Sequence, residues 1–188
     1  MARSDDEQAD PWVDAGESVT PIDRSDPGAD SPQPDPRQYW DELDLATKVR
    51  RRVLPTVHRI KAPLGGFAQC TQHPSEHVGT VQRSLREFRT DLETMAFAPE
   101  PVASLKVHRD GRLSAGSWVR RHSPLSEWQL HTTVFLDGHD TVEVFAHREY
   151  SWLRHPYKHY CGEGWDTAGG VERMRTLLTD HGVAFRID

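Results

Sequence analysis

Apolar residues recur at helical spacing from about residue 40 onward. Trp40, Leu43, Val49 and Val53 lie close to one face of a helix, which predicts an amphipathic helix packed through these side chains. Pro55 follows, and proline is disfavoured inside a helix because it lacks a backbone N–H. We therefore predict a first helix that ends at this proline.

A second apolar stripe follows with alternating steps of three and four residues. Its members are Val78, Val81, Leu85, Phe88, Leu92 and Met95. This spacing places them all on one helical face, with Ser75 as the candidate N-cap. The stripe predicts a second helix packed on a sheet. A coiled-coil homodimer is the rarer alternative, because the run is shorter than about three heptads.

The pattern then changes to alternation of apolar and polar residues, which is typical of strands. Asp110–Gly111 and Asp137–Gly138 each separate two such runs, and Asp-Gly is a strong signal for a hairpin turn. The sequence therefore predicts two successive β-hairpins.

Helical spacing returns near the C-terminus. The apolar face of this segment comprises Val171, Met174, Leu177 and Leu178. Asp166 or Thr167 is the candidate N-cap, Gly182 follows the last turn, and residues 183–187 can form a short last strand. These elements predict an α+β fold, in which helices pack on one face of an antiparallel four- to five-stranded β-meander.

The second hairpin also predicts which side chains share a face. Its apolar residues have even numbers on both strands: Trp128, Leu130, Thr132, Val134, Leu136, Val142, Val144 and Ala146. Both sets face the core only if paired residue numbers sum to an even number. A five-residue loop, 137–141, meets this condition and pairs His131 with His147. A three-residue loop also meets it and makes the two histidines diagonal neighbours, so both lie on the polar face either way.

This polar face is predicted to be open. It would carry Lys106, His108, His131, Glu143, His147 and Glu149. The segment RHPYKHYC, from Arg154 to Cys161, leaves the sheet edge and can fold over it. We therefore expect a histidine-rich concavity supported by arginine and lysine.

Charge is concentrated at the N-terminus. Residues 1–36 contain ten Asp or Glu and two Arg, with few large apolar side chains, so we expect a disordered acidic tail before a single domain, 37–188. Solubilisation is the favoured role of the tail, and screening of a basic surface is the alternative. Nineteen arginines against four lysines are typical of a GC-rich genome and a halophile-like composition.

No apolar run approaches the roughly 18 residues that span a bilayer, and the first ten residues lack a signal-peptide pattern. We therefore expect a cytoplasmic protein without a membrane partner.

Zinc binding is one interpretation of the histidines and cysteines. The candidate ligands are Cys70, His73, His159 and Cys161. Thiolate and imidazole suit tetrahedral zinc, but the spacing matches no standard finger, and Pro74 and Pro156 interrupt the two half-sites. Our first expectation is therefore a protein without a cofactor, and zinc is the alternative.

Catalysis on RNA is the second interpretation. Metal-independent cleavage needs a base for the 2′-OH, an acid for the leaving 5′ oxygen and a cation near the phosphate. The candidate acid and base groups are His131, His147, His155 and His159. The candidate substrate-binding groups are Arg148, Arg154 and Lys158 for phosphate and Tyr157 and Tyr160 for base stacking.

A binding module without catalysis is the third interpretation. The basic residues that would form a nucleic-acid surface are Arg50, Arg51, Arg52, Arg59, Lys61, Arg83, Arg86 and Arg89. Glu87, Asp91 and Glu93 lie among them and weaken the electrostatic attraction to phosphate.

The region 102–181 resembles the TumE-type toxin family. The residues that carry the resemblance are His147, Arg148, His155, Pro156, Lys158 and His159, in a strand, a His-Pro…Lys-His segment and a following helix. The resemblance implies a toxin-like protein that acts on RNA and has a helix-turn-helix antitoxin as its partner. We therefore favour an RNA-directed toxin, with a binding module as the alternative.

Overall fold

An antiparallel sheet of six strands organises the structure, a computed structural model that describes residues 37–61, 70–100, 103 and 105–187. The strands are β1 Cys70–Thr71, β2 His77–Val81, β3 Ala98–Pro99, β4 Lys106–Val107, β5 Gly116–Arg120, β6 Trp128–Leu136, β7 Val142–Tyr150 and β8 Phe185–Arg186. The α-helices are α1 Leu45–Lys61, α2 Leu85–Thr94, α3 Pro156–Cys161 and α4 Thr167–Asp180, and 3-10 turns span Trp40–Glu42 and Pro74–Glu76. The predicted α+β class is confirmed, while the predicted acidic tail lies outside the described residues.

The strands of the main sheet follow the order β3–β5–β6–β7–β2–β8. The short strands β1 and β4 form a separate parallel pair. Asp110 and Gly111 do form a turn, but β4 meets the segment before β5 only through one bridge, between Val107 and Leu113. The first predicted hairpin is therefore only partly formed. None of the described helices is long and apolar enough to cross a membrane.

The central hairpin, β6–β7, has the predicted five-residue loop. His131 pairs with His147, and Gln129 pairs with Glu149. The three-residue alternative is therefore wrong. The requirement that paired residue numbers sum to an even number holds for this pairing, because one face of both strands must be apolar. A slip by one residue would expose that face.

The even-numbered face of the hairpin lies in the main apolar core with α2 and α4. From these two helices, the core takes Leu85, Phe88, Leu92, Val171, Met174, Leu177 and Leu178. Helix α4 begins at its predicted N-cap, Asp166. It runs so close to β7 that a Cβ on Gly170 would lie 2.3 Å from Cα of His147. The absence of a side chain at this position therefore allows the helix to pack on the strand.

The second predicted helix starts too early in the sequence. Val78 and Val81 belong to β2, and α2 begins after Ser84, whose side chain forms a capping box with Glu87. A bulge near Gly79 changes the register of β2, so two valines three residues apart are both buried. The spacing of the two valines in the strand is therefore the same as in a helix. Ser75, the predicted N-cap, lies in a 3-10 turn and does not cap α2.

Helix α1 also differs from its prediction. It continues through Pro55 to Lys61, although a proline inside a helix lacks the backbone N–H that would bond to residue 51. Val49 and Val53 are about half exposed, at 51% and 49%, whereas Arg50 and Arg51 are buried. The buried face of the helix is therefore rotated away from the predicted apolar face.

Arg51 explains this rotation. Its guanidinium donates hydrogen bonds to the backbone carbonyls of Gln38, Leu113 and Ser114 at 2.6–3.1 Å. Five fixed N–H donors suit such a fan of acceptors. Arg51 therefore fastens α1 to the segment before β5 and is not part of a nucleic-acid surface.

We predict that Arg51→Lys lowers the free energy of unfolding by about 2–4 kcal/mol, because an ammonium group leaves buried carbonyls without donors. Urea denaturation measures the loss. The matched control is Arg52→Lys, one residue further along α1, where the exposed guanidinium lies over the ring of Trp40. Equal losses in the two variants would contradict the anchoring role of Arg51.

Candidate functional site

The polar face of the β6–β7 hairpin is covered, so the predicted open concavity is wrong. The buried polar layer comprises Gln72, Glu76, Lys106, Gln129, His131, His147 and Glu149, all at most 8% exposed. The indole of Trp165 stacks on His147 with ring centroids 3.6 Å apart, and Lys106 lies over that indole. Elements from outside the hairpin therefore close the face.

Glu149 lies at the centre of this layer. Its carboxylate accepts a hydrogen bond from Nε2 of Gln129 at 2.8 Å. The Nδ1 atoms of His131 and His159 each lie 3.1 Å from it. Burial alone would raise the pKa of Glu149, but His147, His131 and His159 outweigh it and hold that pKa well below its usual range. The carboxylate is therefore ionised and can only accept hydrogen bonds.

A second carboxylate, Glu76, supports His147 from the 3-10 turn before β2. Nδ1 of His147 lies 3.3 Å from Oε2 of Glu76, which also accepts a hydrogen bond from Gln72. Burial would raise the pKa of Glu76, but His147 and Lys106 outweigh burial and lower it to about 2.

The pKa values of the two histidines shift in opposite directions. Burial would lower the pKa of His147, but Glu76 and Glu149 reverse the effect and raise it. For His131, burial dominates and lowers the pKa. Sequence reasoning found His131, His147 and Glu149 through the register, but it missed Glu76, Gln72 and Trp165, which have no periodic signal.

One group of three side chains in the described residues has the spacing of a metal site. His131, His147 and Glu149 each offer a ligand atom, and these atoms lie within 4.8 Å of one another. The Nε2 atoms of both histidines are buried and have no hydrogen-bond partner. Nε2 of His147 lies 3.6 Å from Oε2 of Glu149, outside hydrogen-bond distance.

A second cluster surrounds His108 on the same face of the sheet. Nδ1 of His108 lies 2.7 Å from Asp110, and Nε2 lies 3.5 Å from Glu143. Arg112 binds both carboxylates at 2.7 Å. Burial would lower the pKa of His108, but Glu143 and Asp110 outweigh it and raise that pKa.

The segment RHPYKHYC forms the short helix α3, with Pro156 in its first turn. Arg154 and His155 lie 3.7 and 3.6 Å from Glu127. Lys158 lies over the ring of Tyr150, with 4.5 Å to the centroid. His159 is the member of this segment that contacts the buried layer, through Glu149 and through the carbonyl of Tyr150 at 3.0 Å.

Several predicted site residues lie elsewhere. Arg148 faces away from His147 on β7 and stacks over Trp128 at 4.3 Å. In the alternative zinc site, the exposed His73 bonds to Ser75, and the side chains of Cys70 and Cys161 lie outside the described part, as does that of Tyr160. Of the two ligands whose side chains are described, His159 contacts the buried polar layer and His73 does not.

Several arginines of the predicted basic surface contact other groups of the protein instead of lying free on the described surface. Arg50 is buried and donates to the carbonyl of Glu100 at 3.1 Å. Arg83, just before α2, pairs with Asp91 at 3.5 Å, and Arg89, on α2, pairs with Asp44 at 2.7 Å. These contacts reduce the positive charge that the described arginines present to a nucleic acid.

Comparison of the chain with protein-family models, curated proteins and solved structures found no match. The resemblance of residues 102–181 to the TumE-type toxin family stays a prediction. Function must therefore be inferred from the chemistry of the described residues.

We predict that His108 stabilises the fold more at low pH than at high pH. A pKa raised by folding gives a contribution that is fully present below the unfolded value of about 6.5 and is lost as pH rises through the folded value. The free-energy difference between wild type and His108→Gln should therefore shrink as the pH rises above about 6.5. Urea denaturation at several pH values measures it.

The control for this series is His122→Gln, which changes an exposed histidine outside the cluster. A difference for His108→Gln that stays constant or grows with pH would contradict the ion-pair role of His108.

Proposed function

We propose that this protein is a toxin-like protein that acts on RNA through the surface around α3, which follows the C-terminal end of β7. This α3 edge is defined as Arg154, His155, Tyr157, Lys158 and His159. The observation that carries the proposal is that these side chains reach the surface together, whereas His131 and His147 are buried. A macromolecular substrate can contact the first group and not the second.

Phosphate contact would come from Arg154 and Lys158. The guanidinium of Arg154 is half exposed, and its acidic neighbour Glu127 is equally exposed at 3.7 Å. Exposed ion pairs of this kind contribute about 0–1 kcal/mol, so a phosphate can replace Glu127 at little cost. Lys158 adds a second cation on the adjacent turn.

Base contact would come from Tyr157. Its side chain is 73% exposed, and an exposed aromatic ring beside cations is the usual platform for an unpaired RNA base. This arrangement favours single-stranded RNA over a duplex, because bases in a duplex are already stacked.

The chemical step would use His155 and His159. One imidazole takes the 2′-OH proton, the 2′ oxygen attacks phosphorus, and the other imidazole protonates the departing 5′ oxygen, leaving a 2′,3′-cyclic phosphate. Nδ1 of His159 is occupied by Glu149 and the carbonyl of Tyr150, so Nε2 is its exchangeable position. The burial of His131 and His147 leaves them a supporting role.

We predict that Arg154→Ala combined with Lys158→Ala weakens binding to single-stranded RNA. The salt dependence, as the slope of log K against log salt, should fall by about 1.4, because two phosphate contacts are lost. Fluorescence anisotropy over a salt series measures this slope. The control is Arg86→Ala on α2, an exposed cation far from α3 in the sequence.

Cleavage and toxicity provide the second measurement. His155→Ala and His159→Ala should each reduce the rate of RNA cleavage by about 10²–10⁴-fold and relieve growth arrest on expression. Co-expression of a helix-turn-helix antitoxin should also relieve it. Undiminished toxicity in a folded variant lacking both histidines would refute the proposal.

A further inference from the structure

We propose that His131, His147 and Glu149 bind one divalent transition-metal ion of the zinc class inside the buried polar layer. The site uses two imidazole nitrogens and one carboxylate oxygen, from the adjacent strands β6 and β7. It differs from the zinc site that the sequence offered as an alternative, because it contains no cysteine.

The spacing of the donor atoms supports the site. Nε2 of His147 lies 3.6 Å from Oε2 of Glu149, and all three side chains offer atoms within 4.8 Å of one another. Two metal–ligand bonds of about 2.1 Å at a tetrahedral angle separate their donor atoms by about 3.4 Å. An ion can therefore bridge this pair with little movement.

The orientation of the imidazoles also supports it. The ionised carboxylate of Glu76 can only accept a hydrogen bond, so Nδ1 of His147 donates to it and Nε2 faces the site. Nε2 of His147 is buried without a hydrogen-bond partner, and a buried polar atom in that state is destabilising. His131 offers its Nδ1 atom, which lies 3.1 Å from Oε1 of Glu149.

The surroundings resemble the outer shell of a metal site. Metal-binding histidines usually donate their second nitrogen to a carboxylate, as His147 does to Glu76. Metal-binding carboxylates are themselves hydrogen-bonded, and Gln129 donates to Glu149 while Arg121 donates to Gln129 at 2.9 Å. The ligand side chains are therefore held in place without the ion.

The donor set selects the class of metal. Calcium and magnesium prefer oxygen ligands alone, whereas zinc and iron(II) accept two imidazoles and one carboxylate. Zinc is the probe of choice because it has no redox chemistry. The alternative is a network of buried ion pairs in which His147 lies between two carboxylates and no metal binds.

The metal site and the α3 edge are separate proposals because they use different side chains. Metal content and thermal stability report on the first, and RNA binding reports on the second. A protein that binds zinc but not RNA would refute only the proposed function, and the reverse result would refute only the metal site.

The test uses the full chain, stripped with a chelator and titrated with zinc chloride. We expect one equivalent of zinc by elemental analysis, and a rise in Tm of about 5 °C or more at saturating zinc. Cobalt(II) should bind the same site and give a visible absorption spectrum that zinc abolishes.

Two variants and a matched control locate the ion. Glu149→Gln keeps the size of the side chain but removes the anionic ligand, and should abolish stoichiometric binding. Glu76→Gln removes only the support of His147 and should weaken binding by about 10–100-fold. His108→Gln changes another buried histidine with carboxylate partners and should still bind one equivalent.

Absence of zinc binding by the folded wild type, with no change in Tm, would overturn the metal site in favour of the ion-pair network. Stoichiometric zinc retained with unchanged affinity by Glu149→Gln would overturn the assignment of the ligands. Circular dichroism of the stripped variants separates loss of the ligand from loss of the fold.

Discussion

The structure depends on the burial of one charge, the carboxylate of Glu149. An ionised carboxylate taken out of water costs several kcal/mol unless donors replace the lost hydration. At 2% exposure, Glu149 obtains those donors from β6, from β7 itself and from α3. The pairing of the central hairpin and the docking of α3 are therefore tied to the same requirement. A change in either would leave the charge without its partners.

The same requirement gives the sheet two unlike interiors. Because side chains alternate along β6 and β7, one face supplies the apolar core and the other supplies the buried polar layer. Burial of apolar surface stabilises the apolar face, and this contribution changes little when side chains shift slightly. Hydrogen bonds and ion pairs, such as those of His131 and Glu76, stabilise the polar face, and they are lost when the side chains shift. The polar layer therefore determines the geometry more strictly than the core does.

This division explains what the sequence could predict. The even sum of paired residue numbers on β6 and β7 followed from alternation alone, since it needs only one apolar face, and it placed His131 and His147 on the same face of the sheet. The covering of the polar face could not be predicted, because Glu76 and Trp165 come from irregular segments before β2 and α4. An alternating strand has the same pattern whether its polar side meets water or a second buried layer.

The errors in the helices have a related cause. A spacing of three residues between Val78 and Val81 fits a helix, but a bulge gives the same burial in a strand. The Ser84–Glu87 capping box was present in the sequence and marks the true start of α2. In α1, arginine was assigned to the surface on polarity alone, although Arg51 is buried by satisfying backbone carbonyls. Both errors come from judging burial by residue type and not by hydrogen-bonding capacity.

Helix α3 is where the buried polar layer reaches the surface. Pro156 fixes the start of the helix, and His159, three residues later, turns inward so that Nδ1 meets Glu149 while its side chain stays 30% exposed. Lys158, one residue earlier, lies over Tyr150 at the surface. The position of His159, and with it the shape of the α3 edge, therefore depends on the buried carboxylate of Glu149.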